Sequence, residues 1–279
     1  MGSVPTLTGK VAIVTGASRG IGKGIALGLG EVGATVYLTG RSEREGDGAL
    51  PGSLAITAAQ VTQAGGLGIA VRCDHRLDQE VGQLFARVAR EQGRLDLLVN
   101  NALGSPPQRV LWGGHRFWEV PISLWDDLID VGLRSHYVAA WHAAQTMIQQ
   151  RSGLIVNVAS HVAGKGKSPG SRVLTAYSVG KAGLHRLSAD LASELREFGV
   201  AVVSIWPPAS RTEGVVAQKE VFGDLSTWKE PIFTGRVVAA LASLPHALAR
   251  SGTALIVEDL ARELGVSETD RPLSVPSQQ

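Results

Sequence analysis

Val11-Ala12-Ile13-Val14-Thr15-Gly16-Ala17-Ser18-Arg19-Gly20-Ile21-Gly22 is the stretch on which both fold and chemistry turn. Residues 11–14 form an apolar run of strand length, glycines punctuate positions 16 to 22, and residues 21–32 return to apolar positions at helical spacing. Strand, glycine turn and helix in that order form a recognisable phosphate cradle. Gly16 lets the chain leave the strand, Gly20 admits backbone close to a pyrophosphate, and Gly22 lets the helix pack on the sheet. The helix start then offers free N–H groups and a positive dipole end to an anion. A glycine cluster alone signals only a tight turn; its place between a strand and a helix points to dinucleotide binding, with Ser18, Arg19 and Ile21 completing the contact surface.

The same alternation continues outward. Apolar runs at 35–38, 68–72, 96–99, 154–158, 200–205 and 254–257 are separated by segments of helical length. Near-continuous Val/Ile/Leu strands alternating with helices require a parallel sheet covered on both faces. The expected fold is therefore α/β: one Rossmann-type domain with a doubly wound parallel sheet of about seven strands, a core over about 9–257 and a loose tail at 270–279. Helices are expected over about 123–150 and 174–198, apolar on more than one face, which predicts burial against a second subunit in a homodimer or homotetramer.

Composition narrows the function classes. The chain has 279 residues, 44% of them hydrophobic, enough for one large core but not for two full-sized domains. Its 27 basic and 25 acidic side chains are dispersed, so neither a nucleic-acid groove nor a polybasic membrane patch is expected. Cys73 is the sole cysteine, which excludes an intrachain disulfide and suits a reducing compartment. Residues 1–8 lack a basic region and an apolar stretch, and the apolar run at 237–249 is broken by Pro245 and His246. The expected location is the cytoplasm, without membrane association. The seven histidines lack metal-ligand spacing, so no metal is expected.

Tyr177-Ser178-Val179-Gly180-Lys181 places a phenol and an ammonium at i and i+4 on one helix face. Bringing a tyrosine from about 10 to near 7 requires about 4 kcal/mol. An ammonium at about 4 Å supplies about that much at an effective dielectric of about 20, so Lys181 is sufficient in magnitude to tune Tyr177. Alone, such a pair is most often a solvated surface pair. Its company makes it specific: the glycine turn, Asn100-Asn101-Ala102 after the fourth strand, Ser160 after the fifth, and then Tyr177 and Lys181.

In that order and spacing the chain, over about 9–257, resembles the short-chain dehydrogenases/reductases. The resemblance implies that Tyr177 donates a proton to a carbonyl oxygen, Ser160 hydrogen-bonds that oxygen, and Lys181 binds the nicotinamide ribose. It further implies that Asp74 meets the adenine, Asn101 the adenosine ribose region, and Thr212 the carboxamide or diphosphate end. Plainer roles exist for three of these: Ser160 as a strand-end cap, Asp74 as a turn former, Thr212 as a helix N-cap. The activity implied is a carbonyl reductase or alcohol dehydrogenase on steroid-like or xenobiotic ketones or aldehydes. The alternative is a catalytically idle dinucleotide-binding sensor or scaffold, which would have no need of Tyr177.

Cofactor choice is legible at the second strand. An NAD enzyme would carry Asp or Glu at its end, where this chain has Gly40 followed by Arg41, with Arg19 nearby in the glycine turn. Two guanidiniums and no carboxylate favour the 2′-phosphate of NADP(H), with NAD(H) as the second choice. The loop at 42–51, ending near a helix cap at Ser53, offers further donors.

Four departures from the family pattern stand out. Leu103 replaces the glycine of Asn-Asn-Ala-Gly, Pro207-Pro208 replaces Pro-Gly, the long interval between Ser160 and Tyr177 places an insertion at 164–172, and Gly132 stands where a fourth catalytic residue, asparagine, is usual. In the family that asparagine helps hold a water linked to the lysine. Gly132 retains only its carbonyl, so the helix is expected to open there, with His136 one turn on as a weaker candidate. The aromatic stretch Trp112, Phe117, Trp118 and Trp125 fits either an apolar pocket or the core. Gly166-Lys167-Ser168-Pro169-Gly170 matches a hydrolase elbow in letters only, since no strand precedes it and Pro169 follows the serine.

Overall fold

The computed structural model describes residues 6–104, 106–163, 173–245 and 247–268. The 164–172 insertion and the 270–279 tail lie outside these residues. Seven parallel strands form one sheet in the order β3-β2-β1-β4-β5-β6-β7. They are β1 (Val11–Thr15), β2 (Thr35–Gly40), β3 (Leu67–Arg72), β4 (Leu97–Asn100), β5 (Gly153–Val158), β6 (Val200–Trp206) and β7 (Ala254–Ile256). Each predicted strand is present, with ends shifted by one or two residues. The last one stops at Ile256, because Val257 already opens a helix.

The helices are α1 (Gly20–Glu31), α2 (Leu54–Gln63), α3 (Asp78–Gln92), α4 (Gln108–Trp112), α5 (Ser123–Ile129), α6 (Ser135–Gln150), α7 (Thr175–Leu195), α8 (Glu213–Val216), α9 (Lys219–Phe222), α10 (Pro231–Ala242) and α11 (Val257–Leu264). Alternate strand residues supply two cores. Ala12, Val14, Val36 and Leu38 pack beneath α1, α2, α10 and α11, whereas Val11, Ile13, Tyr37 and Leu98 pack beneath α3, α6 and α7. Burial on both faces is why these strands read as unbroken apolar runs.

The glycines of α1 serve the packing more than the sequence suggested. A Cβ on Gly24 would lie 2.2 Å from the Pro231 carbonyl oxygen, one on Gly28 2.3 Å from the Gly235 carbonyl carbon, and one on Gly235 1.9 Å from the Gly24 carbonyl oxygen. α1 and α10 therefore meet backbone to backbone, and Arg236 closes their ends with a two-armed bond to Glu31 at 2.8 and 2.9 Å. Gly22, expected to let the helix pack on the sheet, instead abuts the turn itself: its Cβ would fall 2.4 Å from the Gly16 carbonyl oxygen.

The helix expected over 123–150 is interrupted. Between α5 and α6 the chain widens into a π turn, Asp130–Arg134, in which the Ser135 N–H reaches back to the Asp130 carbonyl. The strand order reverses between β1 and β4, and in open α/β sheets the crevice at the strand C-termini at such a point takes ligands. No helix among the described residues is long and apolar enough to cross a membrane.

Candidate active site

The carboxyl ends of β1 and β4 are tied together at this crevice. Thr15 Oγ1 accepts from the backbone N–H groups of Asn101 and Ala102 at 2.9 and 3.0 Å. The Asn101 side-chain amide donates to the carbonyls of Thr15 and Gly16 at 2.9 and 3.1 Å. The glycine turn is thus held from behind by Asn101, which leaves no room for side chains at Gly16 and Gly22. At the start of α1 the Arg19 side chain makes no cap bond, and the first turn carries no acid. Such an N-terminus suits a diphosphate. Gly20 N–H is the exception, since it donates to Glu213 Oε2 at 2.7 Å.

The end of β2 forms one side of the crevice. Arg41 is exposed and makes no hydrogen bond or ion pair among the described residues. Arg19 is occupied, contrary to its expected part beside Arg41: it donates to Ser42 Oγ at 3.0 Å and to the carbonyls of Pro51 and Gly52 at 3.1 and 2.9 Å. Its guanidinium pins the 42–52 loop, and Ser53 then caps α2 by accepting from Ile56 N–H. Ser18 is buried beside Gly40. Ile21 packs against the core, and Asp74 forms the turn after β3, accepting from Arg76 N–H at 3.1 Å.

At the end of β5, Ser160 is buried next to Tyr177, where its hydroxyl favours the ionised phenol. Lys181 Nζ donates to the Val158 carbonyl at 2.7 Å and stands 5.7 Å from the centre of the Tyr177 ring. Burial dominates the electrostatics. It raises the Tyr177 phenol above its ordinary value of 10.0, against a smaller lowering by the Ser160 hydroxyl. It also pushes the Lys181 amine down to about 8. The expected tuning of Tyr177 by Lys181 is not seen in this geometry: the Lys181 amine is bonded to the Val158 carbonyl, and burial of the phenol sets the direction of its shift.

Thr212 caps α8, its Oγ1 accepting from Val215 N–H at 3.3 Å. Of the aromatic stretch, Trp112 stands 5.6 Å from the Tyr177 ring and packs with Leu103, Leu111 and Leu174 into an apolar wall. Phe117, Trp118 and Trp125 face outward instead. His136 is buried, with Nε2 2.8 Å from the Ala102 carbonyl, and burial followed by the Lys181 charge lowers it to about 3. It is a neutral imidazole that donates its Nε2–H to the Ala102 carbonyl, and not a proton carrier.

The family described as short chain dehydrogenase matches this sequence over residues 10–221. The chain belongs to the short-chain dehydrogenase family. It is 42% identical to dehydrogenase/reductase SDR family member 1 of Mus musculus, over 97% of this chain and 87% of that protein. A crystal structure of a short-chain dehydrogenase from Mycobacterium thermoresistibile superposes with a TM-score of 0.79 at 26% identity, covering 94% of this chain and 89% of that one. A metagenomic short-chain oxidoreductase solved with NADP gives a TM-score of 0.67 at 33% identity, covering 85% and 92%.

Against the short-chain dehydrogenase pattern, two of the departures resolve into one. A Cβ on Gly132 would lie 2.7 Å from Leu103 Cδ1. The leucine that replaces the family glycine after β4 extends into the place where a side chain at position 132 would begin. A side chain at position 132 would therefore have to move the end of Leu103 aside, a contact that neither position alone discloses.

Proposed function

We propose that this short-chain dehydrogenase is an NADPH-dependent carbonyl reductase, reversible as an alcohol dehydrogenase, acting on ketones or aldehydes of steroid-like or xenobiotic type. The observation that carries the proposal is the convergence of Ser160, Tyr177 and Lys181 at the C-terminal crevice, with Lys181 Nζ 5.7 Å from the centre of the Tyr177 ring. The raised phenol keeps Tyr177 protonated at neutral pH, as a proton donor to a carbonyl oxygen must be. Ser160 is placed to hydrogen-bond the same oxygen as charge develops on it. Of the three Lys181 donors, one is spent on Val158, leaving two for ribose hydroxyls and for returning a proton to Tyr177. The dinucleotide, when bound, supplies the hydride that goes to the carbonyl carbon, so hydride and tyrosine proton together make the alcohol.

The Trp112 and Leu103 wall against Tyr177 supports an apolar, ring-bearing substrate. Unpaired Arg41 and the absence of a carboxylate at Gly40 support NADP(H) over NAD(H). Ser18, Ser42 and the loop pinned by Arg19 line the same side, and Gly16, Gly20, Ile21, Gly22, Asp74, Asn101 and Thr212 complete the proposed cofactor surface. Exposed Tyr137 and Trp141 on α6 and Val179 on α7 support a homodimer or homotetramer through these helices. The single, buried Cys73 fits a cytoplasmic setting.

A panel of apolar ketones assayed with NADPH and with NADH tests the proposal. Turnover should favour NADPH and fall about a hundredfold or more in Tyr177→Phe, with dinucleotide affinity retained. A Tyr177→Phe protein as active as the parent would refute the mechanism. Tight dinucleotide binding without oxidoreduction across the panel would favour the idle-module alternative.

A further inference from the structure

The glycine turn of this chain already holds an anion of its own. Glu213 Oε2 accepts from Gly20 N–H at 2.7 Å, and Glu213 Oε1 lies 4.0 Å from Lys23 Nζ. Gly20 and Lys23 both belong to the first turn of α1, the twelve-residue helix that leaves the crevice. The carboxylate comes from the far side of the cleft, 193 positions away in sequence. It is delivered by a braced segment: Ala209 and Arg211 pair with Lys229 through backbone bonds of 2.9 Å, and Thr212 caps α8. Thr212 also closes on the turn, its Cγ2 lying 3.4 Å from where a Gly20 Cβ would stand.

We propose that Glu213 is an intramolecular competitor of the cofactor diphosphate, holding the free protein in a closed form from which the dinucleotide must displace it. The proposal rests on the reading of the glycine turn as the diphosphate site. The reasons are elementary. A helix N-terminus carries a partial positive charge that one carboxylate satisfies well. An N–H has one hydrogen to give, and a diphosphate arriving at the same turn meets a like charge at contact distance. Lys23 can pair with either anion, so it eases the exchange without deciding it. Linkage makes the effect reciprocal: whatever the Glu213 bond adds to the stability of the free protein it removes from dinucleotide affinity.

The test compares the parent with Glu213→Gln and Glu213→Asp, reading the Kd for NADPH by fluorescence and the Tm of the ligand-free and saturated proteins. Glu213 is a quarter exposed, so both replacements fit without repacking. Removing the charge should tighten NADPH binding about tenfold, the size of a favourable partly buried charge at a helix end. The ligand-free Tm should fall while the saturated Tm values converge. Aspartate keeps the charge but shortens the arm, and should tighten binding nearly as much. Inorganic pyrophosphate should raise the Tm of Glu213→Gln more than that of the parent. Unchanged or weaker NADPH binding in Glu213→Gln, with the parent binding normally, overturns the competitor role. Failure of both proteins to bind any dinucleotide overturns the underlying cofactor reading, and the competitor with it.

Discussion

Two histidines that the chemistry does not use should govern the acid limit of this fold. His75 and His136 are both buried, and burial lowers them to about 4 and about 3 from 6.5. His75 Nε2 meets Thr39 Oγ1 at 2.7 Å, His136 Nε2 meets the Ala102 carbonyl at 2.8 Å, and the Nδ1 atom of each has no hydrogen-bond partner among the described residues. Asp74 and Glu80 favour the charged form of His75, but burial outweighs them. Above pH 6.5 both rings are neutral whether the chain is folded or not, and stability is insensitive to them. Below it the unfolded chain takes up a proton on each ring that the folded chain refuses, so stability falls as pH falls. Each histidine contributes a slope of about 1.4 kcal/mol per pH unit, together about 2.7. Between pH 6.5 and 4.5 the loss reaches about 5 kcal/mol, comparable to the whole stability of a modest domain. Urea unfolding at constant ionic strength, without dinucleotide, measures this directly. His75→Gln can still donate to Thr39 but does not titrate, and should halve the slope between pH 6 and 4.5. A parent protein whose stability is flat from pH 7 to 5 would refute the reasoning, since the rings would then be protonated or hydrated inside the fold.

Two further outcomes follow from contacts in the crevice. Gly132→Asn should cost about 1–3 kcal/mol by overpacking against Leu103, and less than half of that in a Leu103→Gly background; strict additivity in urea unfolding would show that the two positions do not share the space. Lys181, lowered to about 8 from 10.5, is neutral in the folded chain at a pH where the unfolded chain still holds its proton, so its contribution to stability rises with pH between 8 and 10. Relative to Lys181→Met, which cannot titrate, the parent should gain about 2.7 kcal/mol over that window. Taking the difference removes the opposing contribution of Cys73, whose thiol burial pushes up to about 12. A constant difference would mean that the amine stays solvated.

What could be read from the sequence was local, and what escaped was contact between distant segments. The strands were legible because a sheet buried on both faces leaves an apolar run at each one, as at Val200–Trp206. The turn after β1 was legible because glycines between a strand and a helix have few other uses, and the Tyr177 helix because its two functional residues sit one turn apart. By contrast, Gly24 and Gly28 looked like ordinary helix glycines until Gly235 was seen pressed against them. Gly132 looked like a lost catalytic residue until Leu103 was found reaching over it, and the opening of the helix expected at Gly132 takes the form of a π turn over Asp130–Arg134 that apolar spacing in residues 123–150 does not show. The error over Lys181 has the same root. Spacing at i and i+4 fixes that two groups are neighbours, but the sign of the shift on Tyr177 depends on how much water the folded protein removes and on where the ammonium spends its hydrogens. Those are tertiary quantities: the Val158 carbonyl claims Lys181, and Trp112 and Leu103 help desolvate the phenol. The result suits a reductase. A tyrosine tuned down to 7 in the empty site would be half ionised before any carbonyl arrived, whereas one held above 10 keeps its proton until cofactor and substrate together make its departure favourable.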